Sequence, residues 1–349
     1  MSRATPRPGL RDVEPYESPQ PDVRARLNTN ECPYPMPKEF GEDLAEAVRE
    51  LTLNRYPDRE ATELRAELAD RAGHPVDGTW VANGSNEVIH QLLLAYGGPQ
   101  RRVVTFEPTY VLHERLSWVA HSDVVPVQLD EPWTIAEEHV AEALASGPSV
   151  VFVCSPNNPT GNAQPLEAVV ALASASDALV IVDEAYVEFG GATAADLLEA
   201  FPNVVVVRTF SKAFALAGAR VGYCLTAPEV VEDLRRVRLP YHLSAVTQAA
   251  GLVALRHADD AEAILKEIRA QRDRIVETLP RLGATPFRSD GNFVLFRPSK
   301  PSRDVWQALL DRDVLVRDMT SVVPGTLRVT AGTPDEVDLF LSALGEAVR

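Results

Sequence analysis

The chain has 349 residues, 45% of them hydrophobic, which is enough for a large core and more than one typical domain, so two domains are expected. Its formal net charge of -16 argues against a surface for nucleic acid, because phosphate backbones need a basic face. No apolar run approaches the roughly 20 residues that span a bilayer, so no membrane partner is expected either.

The first ten residues, MSRATPRPGL, lack the apolar core of a signal peptide. Three scattered cysteines, Cys32, Cys154 and Cys224, suggest a reducing compartment without a disulfide framework. A cytoplasmic protein is the expectation. Neither the cysteines nor the seven histidines show metal-ligand spacing, so no metal is expected.

In chain order, residues 1–40 are proline-rich and weakly periodic and read as an extended arm that packs with the smaller domain. Residues 42–51 then read as an amphipathic helix, RYPD at Arg55 to Asp58 as a turn, and residues 60–72 as a second helix. Tyr56 in that turn suits exposed packing or contact with another subunit. GSNEVIHQLLLAY, from Gly84, places free backbone N–H groups at a helix N-terminus, a ready anion site, although taken alone such an end is most often a simple cap.

Short apolar runs come next, at Val103 to Phe106, Val124 to Val127, Val150 to Cys154, Leu179 to Val182 and Val204 to Val207. Most are separated by segments long enough for helices, which predicts an α/β fold with a mostly parallel central sheet covered on both faces. Several runs end in chemically loaded residues. Tyr110 in EPTY can lay its ring on a flat cofactor. Asn157 and Asn158 in SPNNPTG offer amides for hydrogen bonds. Asp183 in DEAY ends a buried run, and an unpaired buried carboxylate is costly, so it calls for a cationic partner such as a protonated pyridine nitrogen. Tyr186, three residues on, can donate to a phenolate oxygen. Each also has a bland account, as packing, turn or cap.

Val204 to Val207 leads into RTFSKAFALAGARVGY, which puts Lys212 just past a strand end, where open α/β sheets keep ligands. Taken alone, such a lysine is usually a solvated surface residue. Thr209, Ser211, Arg220 and the nearby glycines suit a phosphate, and a lysine held beside cations in a dry pocket becomes a nucleophile toward carbonyls. The sharper reading is a lysine that forms a Schiff base with the aldehyde of a phosphorylated cofactor. Beyond it, residues 259–282 read as a long helix, 292–296 as a strand, 303–310 as a helix, 314–317 and 326–330 as strands, and 334–348 as a closing helix. The predicted division is an arm over 1–40, a large cofactor domain over 41–240 and a small α+β domain over 241–349.

SPNNPTG, VDEAY and TFSKAFALAGARVGY, in this order, resemble the fold-type I pyridoxal-phosphate aminotransferases. LNTNECPY, RYPD, ANGSNEVI, EPTY, RLPYHLS, NFVLF and LRVTAG narrow the resemblance to the histidinol-phosphate aminotransferase family, particularly its actinobacterial members. The resemblance implies pyridoxal 5'-phosphate bound through Lys212, with Asp183 holding the pyridine nitrogen protonated, Tyr186 and Asn158 on the phenolate oxygen and Tyr110 stacked on the ring. It implies a phosphate cup of Ser85, Asn86, Thr209, Ser211 and Arg220, joined by Tyr56 of the second subunit of a homodimer. Arg328 is implied to clamp the substrate α-carboxylate, Arg317 to meet the distal phosphate, and Tyr34 and Tyr241 to approach the distal pocket. The implied reaction moves an amino group between L-glutamate and imidazole acetol phosphate in histidine biosynthesis. Aromatic amino acid aminotransferases, and cofactor-sharing decarboxylases or lyases of the same fold, stay open. The chain departs from the family pattern at Cys32, where asparagine is commoner, and across residues 111–130, both toward the substrate end of the family's cleft.

Overall fold

The computed structural model describes residues 20–349 and positions 4, 5, 7, 9, 10, 13 and 15, so the expected arm lies partly outside the described residues. Among the described residues are twelve strands: β1 (Ala25–Leu27), β2 (Thr79–Ala82), β3 (Arg102–Glu107), β4 (Asp123–Gln128), β5 (Val150–Cys154), β6 (Leu179–Asp183), β7 (Val204–Thr209), β8 (Gly222–Leu225), β9 (Thr285–Pro286), β10 (Phe293–Arg297), β11 (Val314–Asp318) and β12 (Leu327–Thr330). Seven of them form a sheet in the order β2-β8-β7-β6-β5-β3-β4. All pairings in it are parallel except those of β8 with β7 and with β2. This is the mostly parallel α/β sheet that the apolar runs predict.

The runs are continuous because both faces of each central strand are covered, and the pleat sends successive residues to opposite sides. Val204 and Val206 enter one apolar cluster while Val205 and Val207 enter another, and Val151 and Val153 part from Val150 and Phe152 in the same way. Helices Ser85–Tyr96, Val111–Val119 and Leu166–Ala175 are among those that cover these faces. A second, five-stranded sheet has the order β1-β11-β12-β10-β9 and packs on a cluster of its own with the helix Pro334–Ala347.

Four strands go beyond the sequence expectation. β2 and β9 are short, β8 lies inside the glycine-rich motif, and β1 is three residues of the arm that pair in parallel with β11. That pairing brings the residues just after Leu27 to the rim between the two sheets. Helix ends differ slightly from expectation: the first helix is Lys38–Arg49, the second Thr62–Ala72, and the long one stops at Thr278 before a single tighter turn over Leu279–Leu282.

Candidate active site

Parallel strands all end on one rim, and the connections leaving β3, β5, β6 and β7 line a cavity of about 940 Å³ there. Lys212, Asp183, Tyr186, Asn158, Tyr110, Ser85, Asn86, Thr209, Ser211, Arg220, Arg317 and Arg328 all line it. Residues scattered from position 85 to position 328 converge because these strand ends and β12 face the same space.

Lys212 comes after β7, and its Nζ donates to the carbonyl of Thr29 at 3.1 Å. Burial, with Arg328 and Arg220 nearby, pulls its pKa from 10.5 down to about 8, against the opposing pull of Glu31. About a tenth of the amine is then free at neutral pH, many times more than for a solvated lysine. Asp183 closes β6 between Cys154 of β5 and Val207 of β7. It is 3% exposed; one oxygen lies 2.9 Å from His113 Nε2 and the other accepts from the backbone N–H of Ala185 at 3.2 Å.

Tyr186 is buried, and burial raises its hydroxyl pKa to about 12. Its oxygen accepts from Asn30 Nδ2 at 3.1 Å and from Asn158 Nδ2 at 3.4 Å. Asn158 also takes a hydrogen bond from Arg328, whose other terminal nitrogen donates to the carbonyl of Asn28 at 2.9 Å. The neighbouring Asn157 does something different. Its side chain ties the turn together, accepting from Thr109 Oγ1 at 2.9 Å and donating to the carbonyl of Pro108 at 2.8 Å.

At the other end of the cavity, Thr209 Oγ1 donates to Ser211 Oγ at 3.0 Å, and Arg220 Nη1 donates to the same Ser211 oxygen at 3.2 Å. Arg220 sits in the turn between β7 and β8 with φ 58°, a left-handed conformation that a non-glycine residue adopts at a cost. The helix Ser85–Tyr96 starts beside it. Its cap, Gly84, has φ 82°, and a Cβ there would lie 2.3 Å from Arg220 Nη2. Gly222 is needed as well, since its Cβ would lie 2.2 Å from Gly84 C. These two glycines therefore let strand and helix end close on each other, whereas Gly218 has open space around it. The result is a ledge of hydroxyls, a guanidinium and unpaired helix N–H groups, the donor set of an anion site.

Three expected residues lie elsewhere. Tyr34 does not line its own chain's cavity; Glu31 is the last residue of this stretch that does, and the Tyr34 hydroxyl is raised in pKa by burial and by Glu267. Tyr56 is 78% exposed and stacks on Tyr241 with ring centroids 4.4 Å apart, and neither ring reaches the cavity of its own chain. Conversely, three contributors escape the sequence reading: His113, fully buried and stacked on Phe152 at 4.4 Å, Asn30, and the carbonyls of Asn28 and Thr29. The asparagines of LNTNECPY are visible in the sequence as polar residues inside a proline-rich arm. His113 stands one helical turn past Tyr110, the only local signal it carries.

Residues 25–344 match the family model "Aminotransferase class I and II", the class of enzyme that this fold and rim define. The histidinol-phosphate aminotransferase of Frankia casuarinae is 49% identical over 98% of this chain and 90% of its own length, and that of Thermobifida fusca is 48% identical over 97% and 94%. The chain belongs to the histidinol-phosphate aminotransferase family. Among solved structures, histidinol-phosphate aminotransferase from Sinorhizobium meliloti, in complex with pyridoxal-5'-phosphate, aligns with a TM-score of 0.86 at 26% identity, over 94% of this chain and 91% of that one.

Proposed function

We propose that this protein is a pyridoxal 5'-phosphate-dependent aminotransferase that moves an amino group reversibly between L-glutamate and imidazole acetol phosphate, giving L-histidinol phosphate. The observation that carries the reading is the pairing, in one cavity, of a desolvated Lys212 amine with a buried Asp183 carboxylate and a separate anion ledge.

The residues fit the cofactor. The ledge around Ser211 and Arg220, kept open by Gly84, suits its phosphate, and the lowered amine suits its aldehyde. When bound, the cofactor supplies an electron sink that makes the substrate α-proton removable. Ser85, Asn86, Thr209, Ser211 and Arg220 would hold its phosphate, and the Asp183 carboxylate would favour the protonated form of its ring nitrogen. Tyr186 and Asn158 would donate to its phenolate oxygen, and Tyr110 would stack on its ring. Lys212 would hold the cofactor through its aldehyde, and its amine would be the base that moves the substrate α-proton. Arg328, braced by Asn158 and the Asn28 carbonyl, binds the α-carboxylate as a fork. Arg317, on the neighbouring strand in register with Arg328, meets the distal phosphate.

In this reading the enzyme is a cytoplasmic homodimer with shared sites. Tyr56, Tyr241, Leu239 and Leu53 are exposed apolar residues that a second copy would cover, and Tyr56 would then reach the partner's phosphate ledge. Among the described residues, no helix is long and apolar enough to cross a membrane. Residues 41–240 form the cofactor domain, 241–349 the small domain, and 1–40 an arm whose β1 joins the small sheet.

A side-by-side assay with imidazole acetol phosphate and phenylpyruvate tests the substrate. A preference for the phosphorylated acceptor is expected, and a preference for phenylpyruvate would place the enzyme with aromatic aminotransferases. Carbon dioxide release without any amino acceptor would replace transamination with decarboxylation.

A further inference from the structure

Asn30 is buried and lines the cavity, yet the proposed reaction gives it no task. It stands in the left-handed region at φ 53°, which asparagine tolerates better than most side chains. Its backbone is tied to the small sheet: the N–H donates to Thr330 Oγ1 at 3.0 Å, and the carbonyl accepts from Asn292 Nδ2 at 3.1 Å. Its side chain bridges β12 to the segment that follows β6, with Oδ1 3.2 Å from Thr330 Oγ1 and Nδ2 3.1 Å from the Tyr186 hydroxyl.

Which end of the amide faces which partner follows from the donors. Thr330 is buried and its oxygen already accepts from the Asn30 N–H, so its own proton needs an acceptor, and among the described residues Asn30 Oδ1 is the one in reach. Turning the amide over would leave that proton buried and unmatched, so Nδ2 faces Tyr186. The second amide at Tyr186 is fixed in the same way. Arg328 only donates and bonds Asn158 Oδ1, which leaves Asn158 Nδ2 to face the Tyr186 oxygen at 3.4 Å. That oxygen thus receives two N–H groups, and among the described residues none accepts its proton. The O–H is left to point into the cavity that Tyr186 lines. It also keeps its proton near neutrality: burial pushes its pKa up to about 12, Cys154 and Asp183 add to the rise, and Arg328 and the Asn30 hydrogen bond oppose it. Lys212 Nζ lies 5.9 Å over the same ring.

We propose that Asn30 is a positioning residue: by donating to the Tyr186 oxygen it keeps the Tyr186 O–H aimed as a donor at the cofactor's phenolate oxygen. This rests on the reading of Tyr186 as that donor, and it lets a residue held by the small sheet set the direction of a hydroxyl carried by the large one. Asn158 has a second amide N–H and keeps its own donation.

The test is an absorbance titration of the holoenzyme. A donor on the phenolate oxygen weakens its hold on the proton it shares with the lysine nitrogen, and so lowers the pH at which the visible absorbance titrates. Asn30→Gly removes the amide and tolerates the left-handed backbone. The titration should then move up by about 0.5 to 1 pH unit, the loss of one hydrogen bond, and cofactor should dissociate roughly three- to tenfold more readily. Tyr186→Phe should move the titration further in the same direction, and Asn30→Gly added to Tyr186→Phe should shift it no more. A residue that merely packs would shift both backgrounds alike. An unmoved titration in Asn30→Gly beside a shifted one in Tyr186→Phe overturns the role of Asn30, as does an equal shift in the two backgrounds. An unmoved titration in Tyr186→Phe overturns the Tyr186 reading, and the role of Asn30 with it. If Asn30→Gly does not retain cofactor, Thr330→Val, which frees the Asn30 amide to turn over, is compared with Thr330→Ser, which keeps the hydroxyl. An upward shift in Thr330→Val alone supports the assignment, and matching titrations in the two overturn it.

Discussion

His113 Nε2 lies 2.9 Å from Asp183 Oδ2, inside a core where the imidazole is fully buried and stacked on Phe152. A carboxylate only accepts, so Nε2 carries the proton of this bond, while Nδ1 is buried with no hydrogen-bond partner among the described residues. The Ala185 N–H holds the second oxygen, so Asp183 is fixed in both rotation and tilt before any ligand arrives.

A shape-preserving change, His113→Phe, therefore removes orientation from Asp183 without opening a large hole. Turnover should fall roughly ten- to hundredfold, the loss of a hydrogen bond to a charged group, and cofactor should dissociate more readily. His113→Asn should recover part of the turnover if it reaches the carboxylate. Wild-type turnover and cofactor affinity in His113→Phe would reduce the pair to core packing.

Much of this rim is legible in the sequence because parallel strands impose a rule: continuous β-branched runs such as Val204 to Val207 are buried on both faces, and the residues just past their carboxyl ends face the cavity. Lys212, Asp183, Tyr110 and Asn158 each stand beyond such a run. His113 is hidden because a histidine on an apolar helix face looks the same whether it fills space or orients a carboxylate. Asn30 and the carbonyls of Asn28 and Thr29 are hidden because their placement depends on β1 joining β11, a pairing between residues nearly three hundred positions apart that local pattern cannot encode. Tyr34 stands four residues past Asn30 and yet outside its own chain's cavity, whose lining in this stretch ends at Glu31.

Lys212→Ala should abolish borohydride fixation of cofactor to the chain, and a variant that still fixes it covalently would show that another amine is used. The pH dependence is set by the direction of the shift. Burial, then Arg328 and Arg220, lower the amine to about 8, and only the neutral amine attacks an aldehyde. The rate at which cofactor-free enzyme captures pyridoxal phosphate should rise through pH 8 and then level. A midpoint near the ordinary lysine value of 10.5 would mean that the pocket is wetter than its geometry implies.

His257 joins the start of the helix Ala258–Thr278 to the helix Lys38–Arg49, with Nδ1 2.8 Å from Asp260 and Nε2 3.0 Å from Asp43. The hydrogen bonds to Asp260 and Asp43 raise its pKa above 6.5. A group with a raised folded-state pKa contributes fully below its unfolded value, and the contribution is lost as pH rises through the folded one. Urea denaturation should thus show stability declining from pH 6.5 upward, and His257→Gln should flatten that decline. The effect is small because both carboxylates are exposed enough for water to screen them. Identical pH slopes for the two proteins would remove His257 from the account.

Arg317 and Arg328 are opposed in register on β11 and β12, so two guanidiniums leave the same sheet toward one cavity. Two guanidiniums side by side suit anions: the α-carboxylate of L-glutamate in one half-reaction and the phosphate of imidazole acetol phosphate in the other. The two sites should then separate by variant. Arg328→Ala should impair L-glutamate and phenylpyruvate, which carry the carboxylate that it binds. Arg317→Ala should lower kcat/KM for imidazole acetol phosphate roughly ten- to hundredfold, the range of a bidentate charged contact, while phenylpyruvate changes little. The comparison is internal to one protein preparation, so partial misfolding would depress both substrates together. Equal losses for phosphorylated and unphosphorylated acceptors would leave Arg317 without a phosphate to bind.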